Sequence, residues 1–117
     1  MTAEQKAQDL EKRAKAVIQA VRKEMGNSIK SLVAWMEANK IKGDTGSIEN
    51  CPLAIAYKKS LKKAFRKKNI TVEVDSDLDV SITNGVEVFF NVEHRKVEAS
   101  FIEKFDEEQF PQLVTAE

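Results

Sequence analysis

This sequence has little with which to cross-link itself or to enter a membrane. One cysteine, Cys51, stands among 117 residues, which excludes an intramolecular disulfide. That usage fits a reducing compartment rather than a secreted, disulfide-stapled scaffold. No apolar run approaches the roughly 18 residues that cross a bilayer, so no membrane partner is expected. The first fifteen residues, MTAEQKAQDLEKRAK, are charged throughout and hold no apolar stretch of the kind a secretory signal needs. The expected location is therefore the cytoplasm. Four glycines and two prolines leave no low-complexity linker, and no internal repeat is visible. Gly43-x-x-Gly46 lacks the Lys-Ser/Thr and the preceding strand of a phosphate-cradling loop.

Net charge is absent too, with 19 Lys and Arg against 19 Asp and Glu. A zero sum argues against a polyanionic partner only if the charges are mixed, and here they are sorted. Residues 1–70 carry 16 Lys/Arg and 7 Asp/Glu, whereas residues 71–117 carry 3 and 12. The chain is basic in its first part (+9) and acidic in its second (−9). Such asymmetry points to a charged partner that the sum hides.

The pattern predicts a long helix over 3–25, with Thr2 and Gln5 at capping-box spacing. Ala3, Ala7, Leu10, Ala14, Val17 and Val21 alternate four and three residues apart and predict a narrow apolar seam. Gly26-Asn27-Ser28 interrupts, and a second helix is predicted over 28–39. Its stripe is Ile29, Leu32, Val33 and Met36, with Trp35 at the edge. A third helix follows, with Asn50 as its expected N-cap and Pro52 in its first turn. It is expected to run to Asn69, with Leu53, Ala56, Tyr57, Leu61, Ala64 and Phe65 on one face.

Periodicity then drops to two. Ile70, Val72 and Val74, then Leu78, Val80 and Ile82, then Val86, Val88 and Phe90 alternate with polar residues, with Phe89 on the opposite face. Asp75-Ser76-Asp77 reads as one turn and Asn84-Gly85 as a type I′ hairpin turn. A last helix over 95–108 carries Val97, Phe101, Ile102 and Phe105 toward the sheet, and 110–114 is expected as an extended tail. The fold class is α+β: a three-stranded antiparallel meander covered by helices, with an N-terminal helical hairpin or long kinked helix. The basic and last helices are the expected cover. Residues 1–48 are read as a helical extension and 49–117 as the α+β domain.

Cys51-Pro52-Leu53-Ala54-Ile55-Ala56 opening a helix, a short meander, and Phe101-Ile102-x-x-Phe105-Asp106 closing the domain form one arrangement. It resembles a group of short uncharacterised bacteriophage and prophage proteins over roughly residues 49–112. The resemblance implies a phage origin and a bacterial host cell. It brings no catalytic residue with it, and it fits small accessory proteins that bind and block a host machine.

The sharpest chemical feature is basic: Lys58, Lys59, Lys62, Lys63, Arg66, Lys67 and Lys68 lie within eleven residues. Cations on one rigid helix can follow a phosphate backbone and release its counterions. Lysine outnumbers arginine there, which favours phosphate contact over base reading. The plainer reading is a solvated helix face answering the acidic strands.

Asp75-x-Asp77-x-Asp79 lacks the later ligands of a calcium loop, since Val80 and Val86 stand at the sixth and twelfth positions. No metal and no cofactor is therefore expected. Cys51 at a helix start and His94 are the only candidates for a thiol nucleophile and base, and the helix dipole would lower the thiol pKa. Neither sits in a catalytic motif, and a small buried hydrophobe is the plainer role for Cys51.

The N-terminal seam offers a surface for a second copy through Leu10, Val17 and Val21, and Trp35 is a candidate anchor for a partner. Packing within the chain is the alternative. The function expected is a non-enzymatic binding protein that engages nucleic acid or a host nucleoprotein complex through the Lys-rich helix. The first alternative is an inhibitor of a host defence system, of the anti-CRISPR kind, acting by protein contact. The second is a Cys51-dependent thiol enzyme.

Overall fold

In the computed structural model the described residues are 2–66, 69–75, 77–83 and 87–115. Helix α1 spans Ala3–Met25, α2 Ile29–Ala38, α3 Pro52–Ala64 and α4 Lys96–Asp106. Strands β1 (Asn69–Val74), β2 (Leu78–Thr83) and β3 (Glu87–Val92) lie between α3 and α4, and a 3₁₀ turn over Pro111–Leu113 follows. The class is α+β with a three-stranded antiparallel sheet in the order β1-β2-β3.

Local chemistry sets the boundaries. Thr2 accepts the Gln5 N–H at 3.1 Å while the Gln5 side chain accepts the Thr2 N–H at 2.9 Å, which is the expected capping box. Gly26 stops α1 with φ +76°, and a Cβ there would meet Ser31 Oγ at 2.7 Å. Ser28 then caps α2 by accepting the Ser31 N–H at 3.0 Å. Lys40 N–H donates to Glu37 O and Ile41 N–H to Met36 O. That pair of bonds closes α2 as a Schellman motif, with Lys40 in the left-handed region at φ 56°. The end of α4 repeats the motif, with Glu108 at φ 62°.

The sheet's alternation places three rows inward: Ile70, Ile82 and Val88; Val72, Val80 and Phe90; Val74, Leu78 and Val92. Only Val92 of these is not fully buried. Helix α3 packs on β1, α1 packs on β3, and the two helices touch each other. The expected cover is corrected in part: α1, not the last helix, shares the sheet with α3, and α4 packs mainly on α2. The helices of residues 1–48 share the core of the rest of the chain. Leu10, Ala14, Ile18, Val21 and Met25 of α1 join one continuous core with the strands and with Phe101, Phe105 and Leu113.

The seam of α1 is also shifted. A helix lying on a globular core follows its own 3.6-residue period, so Ile18 and Met25 are buried, Ala3 is exposed and Val17 is half-buried. The tail is not extended throughout. After the 3₁₀ turn, Gly43 N–H donates to Leu113 O at 2.8 Å and Thr115 N–H to Gly43 O at 2.9 Å. This short bridge ties the tail to the loop before α3. Asn84, Gly85 and Val86 of the expected hairpin, Ser76 of the first turn, and Lys67 and Lys68 lie outside the described residues.

Candidate functional site

The basic helix begins one residue later than its sequence suggests. Cys51, not Asn50, is the N-cap of α3: its Sγ accepts the Ala54 N–H at 3.4 Å, and Pro52 occupies the first turn. Gly43 makes this start possible by close approach. A Cβ on it would meet Asn50 O at 2.4 Å and Pro52 N at 2.6 Å. The helix also ends sooner, at Ala64. Phe65 turns out of the helix (φ −125°, ψ 65°) and buries its ring, with the Arg13 guanidinium 5.2 Å from the ring centre. The expected run of cations on one helix is therefore corrected. Lys58, Lys59, Lys62 and Lys63 stand on α3, and Arg66 follows it in a turn. Ala64, expected inside, is exposed.

Lys58 and Lys62 are one helical turn apart, as are Lys59 and Lys63, so the four form a ridge. Two depressions flank it. One, of about 350 Å³, has Ile55 among Lys58, Lys59 and Lys62, with Glu49 and Asn50 at its border. The other, of about 360 Å³, lies between α1, α2 and α3. Val17, Val21, Trp35, Lys59 and Lys63 all line it. The structure thus brings part of the lysine set and most of the residues proposed for a partner to one groove. Leu10 is elsewhere, buried in the core, and Val21 is 4% exposed, so neither offers a free surface to a second copy. Val17 and Trp35 are half-buried.

The two charged halves do not neutralise each other at this ridge. The described ion pairs are Arg13–Asp9, Lys15–Glu11, Arg22–Glu98 and Arg95–Glu98, and none uses a lysine of α3. The sheet's outer face carries Glu73, Asp79 and Glu87, beside Phe89 at 63% exposure. Because α3 covers the opposite, inner face, those carboxylates and the lysine ridge lie on different sides of the molecule. Arg13, paired with Asp9 at 3.9 Å, is brought beside the end of α3 by its stacking on Phe65; the sequence gives no signal for that juxtaposition.

A second polar cluster is buried and was not foreseeable from spacing. Glu98 is fully buried where α1, α3 and α4 meet. It pairs with Arg22 Nη2 at 2.8 Å, accepts the Tyr57 hydroxyl, and accepts the Arg95 backbone N–H at 2.9 Å. Arg22 also donates to Tyr57 Oη at 3.3 Å and to Glu93 O at 2.9 Å. Arg95 Nη1 donates to Gly26 O at 2.9 Å, closing the open end of α1. Arg95 Nε lies 3.5 Å from Glu98 but in no hydrogen-bonding alignment, and among the described residues it and Nη2 have no hydrogen-bond partner. Burial first, and the Glu98 carboxylate second, push the Tyr57 phenol well above its ordinary value. The cluster locks three helices together; Glu98 and Tyr57 are closed to solvent, while Arg22 and Arg95 also line an open depression of about 390 Å³ with Gln19, Lys23, Gly26 and Asn27.

Cys51 is 4% exposed, and burial pushes its thiol up, against the lowering expected at a helix start. Desolvation of the thiolate outweighs the helix N–H groups here. His94 faces the Asp75 carbonyl through Nε2 at 3.0 Å. Among the described residues no group of three His, Cys, Asp or Glu side chains is placed to hold a metal, and no helix is long and apolar enough to cross a membrane.

A comparison with protein-family models gives no match, and neither do comparisons with curated proteins and with solved structures.

Proposed function

We propose that this chain is a non-enzymatic binding protein that engages nucleic acid or a nucleoprotein through the α3 ridge. One observation carries the reading. Lys58, Lys59, Lys62 and Lys63 stand on one rigid helix and form no ion pair among the described residues; Glu24 and Glu49 border the flanking depressions, and the sheet's carboxylates lie on the other side. Unpaired cations at fixed spacing are what counterion release rewards. The phage-type origin implied by the short motifs at Cys51 and Phe101 agrees with such a role and belongs to the same proposal.

The test is binding of a labelled 20-nucleotide strand and of its duplex, followed by anisotropy at several salt concentrations. Affinity is expected to fall steeply with salt, at roughly 0.7–0.9 in log-log slope for each phosphate neutralised. Lys59→Glu, Lys62→Glu and Lys63→Glu combined, with the thermal midpoint unchanged, is expected to abolish binding. Undiminished binding by that variant overturns the reading. A protein captured from nuclease-treated host lysate by both forms would shift it to inhibition by protein contact.

A further inference from the structure

The groove beside the ridge carries a more specific reading, which rests on the function just proposed. We propose that it seats one unstacked base of a single-stranded nucleic acid against Trp35, with Lys59 and Lys63 on the adjoining phosphates.

Three properties of the groove select this ligand. The first is size. About 360 Å³ lies at the low end of small-ligand pockets, roughly 300–1,000 Å³, so a flat ring system suits it better than a folded peptide segment. The second is the arrangement of apolar and cationic groups. Trp35 and Val17 offer apolar surface, and Lys59 and Lys63 are spaced one helical turn apart, about 6 Å along α3. An aromatic surface beside a cationic track is how sequence-tolerant single-strand sites hold bases and backbone together. A duplex keeps its bases stacked inside and has none to give to such a groove.

The third is the polarity of what remains. Asn39 Nδ2 is engaged by the Trp35 carbonyl at 2.8 Å, which leaves its Oδ1 to accept. Ser60 donates its hydroxyl to Ala56 O at 3.0 Å, which leaves its oxygen to accept as well. Glu24 adds a carboxylate to the same lining. Between the donors of Lys59, Lys63 and the Trp35 indole, the groove thus holds three side chains that can accept, Glu24, Asn39 and Ser60. It favours bases with amino N–H groups, adenine, cytosine or guanine, over thymine, which has no amino group.

Trp35 is the chain's one tryptophan, so its fluorescence reports on this groove alone. Twelve-nucleotide strands of dC, dA and dT, and one mixed duplex, are titrated at low salt while anisotropy and tryptophan emission are recorded together. Quenching by dC and dA that saturates with the anisotropy, weaker binding of dT, and no quenching by the duplex are expected. Trp35→Leu keeps an apolar side chain without a stacking face and is expected to bind single strands about 5- to 150-fold more weakly. Its folding is checked by circular dichroism; should it unfold, the wild-type quenching still decides. Salt-sensitive binding with no quenching, or a duplex bound more tightly than any strand, overturns the base site and leaves the ridge proposal standing. No binding of either form overturns both.

Discussion

Replacing Glu98 by alanine is expected to cost more stability than any change on the lysine ridge. The side chain is fully buried and answers three donors at once: Arg22 Nη2 at 2.8 Å, the Tyr57 hydroxyl and the Arg95 backbone N–H. Truncation leaves the Arg22 guanidinium, 7% exposed, with no countercharge. Removing one partner of a buried pair costs about 3–5 kcal/mol, chiefly because the other charge stays desolvated. Folded domains hold only about 5–15 kcal/mol in all. For a chain of 117 residues the unfolding entropy is about 0.25 kcal/mol/K, so the midpoint should fall by about 12–20 °C. Thermal melts followed by far-UV circular dichroism at pH 7, with urea melts at 25 °C as a second measure, read this directly. The companion variant Arg22→Met with Glu98→Leu removes both charges together and should recover most of the loss. A loss below about 1 kcal/mol for Glu98→Ala would refute the reasoning, because it would mean that water reaches the freed guanidinium at little cost.

The raised phenol of Tyr57 gives a pH dependence with a definite sign. The folded state keeps the proton above the ordinary value near 10 while the unfolded state releases it, so stability is complete below about pH 10 and falls above it. The extra slope is about 1.4 kcal/mol per pH unit, and Tyr57→Phe should remove it in urea melts run from pH 9 to 11. Cys51, buried with its thiol pushed up, should react with a disulfide reagent at pH 8 far more slowly in the folded protein than in urea. Equal rates would show that the N-cap opens freely. Gly43→Ala should destabilise by more than about 2 kcal/mol, since its Cβ would meet backbone atoms at 2.4 and 2.6 Å that cannot swing aside. Lys40→Gly and Glu108→Gly, at the two left-handed helix ends, should each raise stability by up to about 1 kcal/mol in the same melts.

Those predictions separate what is written locally in the chain from what is not. Thr2 and Gln5, the alternation from Ile70 to Val74, and Phe89 on the outer face are legible because each depends on neighbours within a few residues. Ile18 is missed in favour of Val17 because an alternating three-and-four spacing and a 3.6-residue period diverge after two turns, and only the partner surface decides. The end of α3 is missed for a tertiary reason. Phe65 leaves the helix to bury its ring beneath Arg13, a residue 52 positions earlier. Arg22 and Glu98 look like solvated charges on amphipathic helices, and nothing in one sequence says that they meet. The lysines are legible as a cluster, but their division between two depressions follows from where α1 and α2 lie.

The separation of the sheet's carboxylates from the α3 ridge has a consequence for how the molecule meets any charged matrix. Its principal extents are 47, 29 and 25 Å, and at 0.1 M salt a charge is felt over only about 10 Å. Near its isoelectric point of about 6.6 the protein carries no net charge, yet each side presents its own sign to whatever lies within that reach. It should therefore be retained at low salt by cation exchangers and anion exchangers alike, turned one way round on the first and the other way on the second. Its approach to a charged object is a matter of orientation, not of total charge.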